Sequence, residues 1–253
     1  MFIGYSLAVL IGLSLGLLGG GGSILTVPIL VYALGMDAKL SIALSLAIVG
    51  ATSFIGSAAH FKAKNINIKV ALAFGPVAML GTYMGAKLSI FMSGALQLIL
   101  FSIVMLIASI FMFRGNKNLE SKQKKPLNYP LIITEGILVG ILTGIVGVGG
   151  GFMIVPALVL LAHIPMKQAI GTSLLIISLK SFAGFIGYLN TELIIPWDFL
   201  FKFSFFTVSG ILIGSYLVKY VPAQKLKKSF AGFLVIMGIF ILYKNRHVIS
   251  TML

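Results

Sequence analysis

Ten apolar segments, separated by short polar joints, leave this chain one broad kind of fold. They run Phe2–Leu18, Ile24–Leu34, Leu40–Ala59, Val70–Met92, Ala95–Phe113, Pro130–Val146, Phe152–Ala162, Ala169–Leu189, Phe199–Val218 and Phe230–Tyr243. Several reach the ~20 residues a helix needs to cross about 30 Å of hydrocarbon. Composition agrees: 59% of the 253 residues are hydrophobic, only 9% are charged, and mean hydropathy is +1.11. A soluble domain carries about a quarter charged residues. An ordinary soluble globule is excluded, and so are a disordered tail and a disulfide scaffold, since cysteine is absent. The expected fold class is an all-α integral membrane protein. The first apolar run has no Lys or Arg before it and no clear cleavage site after it, so it reads as the first membrane segment.

The chain holds 19 Lys+Arg against 5 Asp+Glu, a net charge of +14. Most of that charge lies between apolar segments. It reads as topology, with Lys and Arg kept beside anionic lipid on the cytoplasmic side. No basic stripe with interleaved aromatics is present, so a nucleic-acid partner is not expected.

Two segments are too short to span. Ile24–Leu34 and Phe152–Ala162 each follow a glycine cluster, GLLGGGGSILTVP (16–28) and GIVGVGGGFMIVP (144–156). The clusters lie 128 residues apart. The same offset aligns Gly16 with Gly144, Gly19 with Gly147, Gly21 with Gly149, Gly22 with Gly150, Pro28 with Pro156, Lys39 with Lys167, Ser45 with Ser173 and Ser53 with Ser181. With one residue inserted, Gly81-x-x-x-Gly85 matches Gly210-x-x-x-Gly214. Chance supplies Leu and Ile matches in any two apolar helices, but not a collinear Gly/Pro/Ser framework. The chain is a duplicated unit of about five helical segments. The first transmembrane repeat occupies 1–113, a basic linker 114–129 and the second repeat 130–253.

Charge decides between parallel and inverted halves. If each glycine cluster merely interrupts one span, Lys and Arg in the loops and tail divide ten to seven. If the segments flanking each cluster form a hairpin or two spans, the halves are inverted and the division is thirteen to four. The positive-inside rule favours inversion, with the linker cytoplasmic and both termini outside. Lys244 and Arg246 dissent, because they then face outward. Short, glycine-interrupted segments at matching places in two halves also point to a transporter's binding site.

Glycine permits positive φ and close approach of main chain to a ligand. A break frees N–H groups at the starts of the short helices, and these suit an anion. Gly19, Gly20, Gly21 and Gly22, with Gly147, Gly149, Gly150 and Gly151, are therefore read as lining a substrate site, with Ser23 beside them. Tight packing is the plain alternative and fits Gly12/Gly16, Gly81/Gly85 and Gly210/Gly214. A run of four glycines weakens a helix by roughly 1 kcal/mol per residue, so packing alone explains Gly19–Gly22 poorly.

Lys180 stands inside an apolar segment, aligned with Thr52. An ionisable group at that depth is expensive and functional by default. The alternative is snorkelling towards the helix end near Leu189, about ten residues away. Thr52, Ser53, Thr172, Ser173 and Ser181 offer neutral donors nearby, although serine in a helix commonly bonds its own backbone. Glu135 and His60 are weaker candidates for proton coupling; either equally suits an interfacial position. No metal set, thiol, P-loop or hydrolase motif appears, so neither an enzyme nor a cofactor is expected.

The duplicated G-x-x-G-x-G-G-x(5)-P element, followed by A/S-x-x-x-S-L in the next segment, resembles the sulfite exporter TauE/SafE family of membrane permeases, also called TSUP. The likeness covers nearly the whole chain. It implies transport of sulfite, sulfonates or related organosulfur acids across the bacterial plasma membrane. It carries over to Gly16, Gly19, Gly21, Gly22, Gly144, Gly147, Gly149, Gly150, Pro28 and Pro156. Val148 replaces the glycine found at Gly20, and Lys180 has no counterpart in the first half.

The resulting expectation is a secondary transporter for a small anion. Two inverted repeats would meet at their glycine breaks near the midplane and work by alternating access. Its partners would be that anion and the lipid bilayer, and the Gly-x-x-x-Gly faces would permit a homodimer. The rival readings are a channel or carrier for another solute, including a cation, and a membrane scaffold without transport.

Overall fold

The computed structural model describes residues 2–114, 129–146, 151–160, 164–189 and 193–246. The described residues form ten α-helices and no strand. In the first half these are α1 (Phe2–Leu18), α2 (Gly21–Pro28), α3 (Ala38–Lys62), α4 (Ile68–Leu88) and α5 (Gly94–Arg114). The second half repeats them as α6 (Tyr129–Val146), α7 (Gly151–Leu160), α8 (Met166–Leu189), α9 (Trp197–Leu217) and α10 (Ala223–Lys244). The chain is an all-α, multi-pass membrane protein. Six helices are long and apolar enough to cross a bilayer: α3, α4, α5, α8, α9 and α10.

Local chemistry sets the element boundaries. Leu18 ends α1, and Gly19 takes φ +72°, where a side chain is strained. The chain then reverses. Gly22 packs against the Ile11 carbonyl and Leu15, so α2 folds back along α1. Pro28 lacks an N–H, and the helix beyond it widens into a π turn over Ile29–Ala33. Met36 then donates to the Leu30 carbonyl at 3.0 Å. Its counterpart Ile164 donates to the Leu158 carbonyl at 3.0 Å, so both halves leave the short helix the same way. Asp37 caps α3 by accepting from the Leu40 N–H, and Asn67 caps α4 by accepting from the Val70 N–H.

The halves interlock. The principal partner of α1 is α9, and that of α6 is α4. Gly12 and Gly16 lie against the backbone at Thr207–Ser215, while Gly210 and Gly214 lie against that at Val9–Gly16. In the other pair, Gly140 and Gly144 face Ala78–Ala86, and Gly81 and Gly85 face Ile137–Ile145. In each pair, position rises along both helices together, so the two helices run the same way. Backbones this close exclude any larger residue, which is how small residues stabilise helix pairs in lipid. The Gly-x-x-x-Gly faces are thus used inside the chain.

At the centre, α3 crosses α8 antiparallel. Leu46 meets Gly184, Gly50 meets Ser181 and Phe182, and Gly56 meets Leu174. These two helices are the most enclosed, with 72% of each central stretch buried against 35–44% in the other four long helices. The periphery is apolar: Leu72 and Leu80 on α4, Phe201 and Phe205 on α9 and Ile236 on α10 are each about two-thirds exposed. Water would penalise such a surface, and acyl chains do not.

Candidate functional site

The site region is assembled from the two helical breaks and the α3/α8 crossing. The breaks touch. A Cβ placed on Gly151 would fall 2.7 Å from the Gly20 Cα. One placed on Gly19 would lie 2.8 Å from the Ser173 Oγ and 3.2 Å from Val155. The tip of the α1–α2 turn therefore rests on the start of α7 and on the face of α8 that carries Ser173 and Ile177. Gly147, Gly149 and Gly150 lie outside the described residues, as does most of the linker.

Lys180 lies on that same face of α8, at helical offsets of three and seven from Ile177 and Ser173. Its side chain is fully buried, and its Nζ donates to the Thr143 Oγ1 at 3.0 Å. Thr143 is in α6, immediately before Gly144, where the second glycine cluster begins. Among the described residues the one ion pair is Lys202–Asp198 at the surface, so no carboxylate there neutralises Lys180. A buried charge without a partner costs several kcal/mol, so the empty site lacks the counter-charge that a protonated Lys180 needs.

The hydroxyls divide into two groups. Some are bonded within the protein. Ser23 donates to the Gly20 carbonyl at 2.6 Å, and Ser173 to the Ile170 carbonyl at 2.8 Å. Thr52 and Thr207 share a hydrogen bond of 2.8 Å between α3 and α9, and Thr207 also donates to the Ser204 carbonyl. Thr172 accepts from the Asn67 N–H at 2.9 Å, which ties it to the α3–α4 joint and away from Lys180. The others, Ser53 and Ser181, are fully buried with no hydrogen-bond partner among the described residues. They occupy equivalent places in the two halves. Ser178 has the same character. Since Gly50 meets Ser181, the antiparallel register brings Ser178 level with Ser53. The crossing thus carries three buried hydroxyls without partners, although buried polar groups are nearly always bonded.

Glu135 is half-buried in the first turns of α6, about 12 Å along the helix from Thr143. His60 is buried at the end of α3. Neither joins Lys180. The sequence reading did not single out Thr143, Thr207 or Ser178. Ser178 had a legible signal, since it stands three residues before Ser181 inside the same helix. Thr143 had a weaker one, its place directly before a glycine cluster.

Comparison with known proteins agrees with this architecture. The family described as Sulfite exporter TauE/SafE matches residues 5–241. The chain is 30% identical over 242 residues to a protein of Xylella fastidiosa (strain 9a5c) named "Probable membrane transporter protein", covering 93% of this chain and 92% of that one. It is 26% identical to "Probable membrane transporter protein YdhB" of Bacillus subtilis (strain 168), covering 92% and 97%. A Methanocaldococcus jannaschii protein, also named a probable membrane transporter, is 31% identical over 74% of this chain and 73% of its own length. No solved structure matches. The chain belongs to the sulfite exporter TauE/SafE family of membrane proteins.

Proposed function

We propose that this TauE/SafE family member carries a small sulfur-containing anion, such as sulfite or a short sulfonate, across the bacterial plasma membrane by alternating access. The observation that carries this reading is Lys180, whose fully buried amine lies only 3.0 Å from Thr143 beside the second break, with no carboxylate partner among the described residues. An anion bound there would supply the missing counter-charge. Ser181, next along α8 and unpartnered at the neighbouring crossing, would donate to its oxygens. A cation would find neither charge complement nor carboxylate in this set.

In this reading the halves are inverted. The antiparallel crossing of α3 and α8 supports it, as does the exchange of glycine contacts between α1/α9 and α6/α4. The hairpins α1–α2 and α6–α7 would enter from opposite faces and touch at Gly20 and Gly151 near the midplane. The linker would be cytoplasmic and both termini outside. Movement of one half about the other would expose the site to each side in turn. Glu135 is the candidate for proton coupling.

Ligand-dependent thermal unfolding of purified protein tests the assignment. The panel is sulfite, sulfate, thiosulfate, short sulfonates, plain carboxylates and monovalent and divalent cations. A site-specific ligand stabilises by mass action, about 2.7 kcal/mol at one hundred times its Kd. A saturable rise in Tm with one sulfur anion, absent in Lys180→Met, is expected. Shifts with cations alone would overturn the reading.

A further inference from the structure

A polar cavity of about 210 Å³, away from Lys180, opens between the end of α3 and the last turns of α9. Its walls include His60, Asn65, Ser215, Tyr216 and Lys219. His60 is 2% exposed and neither ring nitrogen has a hydrogen-bond partner among the described residues. Ser215 is 6% exposed and its hydroxyl is equally unpartnered. Both residues line the cavity, and neither has its hydrogen bonds met within the described residues. The Lys219 ammonium stands at the rim, 5.6 Å from the Tyr216 ring. Lys167 adds a second cation at the rim by donating to the Lys219 carbonyl at 3.0 Å. No carboxylate lines the cavity.

The other end of the molecule lacks this donor set. Under the repeat alignment, His60 corresponds to Tyr188, Ser215 to Ala86 and Lys219 to Ile90. Tyr188 donates to the Gly144 carbonyl at 3.3 Å and lies 3.5 Å from the Gln97 amide nitrogen. There a large, bonded side chain stands where His60 would be. The donor set at His60, Ser215 and Lys219 is therefore not repeated at the aligned positions of the other half.

We propose that this cavity is a separate binding site for a small free oxyanion. Either neutral tautomer of His60 offers one N–H, Ser215 offers one O–H and Lys219 supplies the charge. Room for several waters also suffices for a four-oxygen anion with part of its hydration shell. The proposal does not rest on the transport reading, because Lys180 is not part of this cavity.

The test uses the full chain in neutral detergent, with ¹⁵N-labelled histidine. The chain has three histidines, so His60 is assigned by loss of its signals in His60→Gln. Sodium sulfate and sodium sulfite are titrated separately, and a parallel sample sits in nanodiscs containing phosphatidylglycerol. The expected result is a saturable shift of the His60 ring nitrogens with at least one of the two ions. Lys219→Met, at an exposed position, should raise the apparent Kd about tenfold, and Ser215→Ala should raise it by a smaller factor. Lys180→Met should leave it unchanged, so the two sites are read separately. The proposal is overturned if neither ion gives a saturable His60 shift, if Lys219→Met leaves the Kd unchanged, or if only the anionic lipid moves the signal.

Discussion

Lys180 sets the terms at the scale of single residues. Its amine is buried without a counter-charge among the described residues, so holding a proton there works against stability of the empty protein. Replacing buried charge with apolar groups of similar volume is often neutral or stabilising by about 1–4 kcal/mol. Lys180→Met should therefore unfold at an equal or higher temperature than wild type while losing anion-dependent stabilisation; thermal scans with and without sulfite measure both. A lower Tm together with retained ligand response would point to a structural lysine. Ser181→Ala follows similar logic. Its hydroxyl has no internal partner among the described residues, so its loss should change stability by no more than about 1 kcal/mol while weakening anion affinity. Gly19 behaves differently. With φ +72° and the Ser173 hydroxyl 2.8 Å from the place of a Cβ, Gly19→Ala should cost about 1–3 kcal/mol, read as a fall in Tm.

Pairs of elements carry the next level of organisation. The α1/α9 and α4/α6 pairs hold equivalent glycines at equivalent contacts. Gly85→Val and Gly214→Val should therefore destabilise the protein by similar amounts, as equilibrium unfolding in detergent would show. A large difference would mean that the two interfaces do not do the same job. The Thr52–Thr207 bond joins α3 to α9 in a buried setting, and a double-mutant cycle to valine should give a coupling of about 0.6 kcal/mol, the usual size for such bonds in membranes. Much of this layer was legible in the chain. The Gly/Pro/Ser framework at a spacing of 128 aligned α1–α4 with α6–α9, and the glycine run at Gly19–Gly22 marked a break that the fold brings against Gly151. The partner choice was not legible. Nothing in the local pattern of Gly12 and Gly16 says that they meet Gly210 and Gly214 and not a neighbour in their own half. That depends on backbone geometry over the whole bundle. The same limit explains Thr172, which looked like a companion of Lys180 on the same helix but faces the α3–α4 joint. Thr143 was hidden for the converse reason, since its role comes from a helix distant in sequence.

The whole molecule reads as two interlocked halves, with Gly20 of the first meeting Gly151 of the second on the face of α8 that carries Lys180. Lys62, Lys64, Lys69, Lys225 and Lys228 would share one membrane face, and Lys39 and Lys87 the other. The natural lack of cysteine makes this directly testable. Single cysteines at Lys64 and Lys225 should react with an impermeant maleimide only from the cytoplasmic side, and one at Ser93 only from outside. Labelling of residues 64 and 225 from opposite sides would rule out the inverted arrangement. Glu135→Gln should abolish any dependence of flux on a pH gradient while leaving downhill exchange intact. The central claim concerns Lys180, and its most direct test is sulfite flux into proteoliposomes of wild type and Lys180→Met, with matched protein content and folding. The account predicts saturable flux in wild type and a loss of at least tenfold in the variant. Equal flux in the two, or wild-type flux of cations without sulfite, would contradict it.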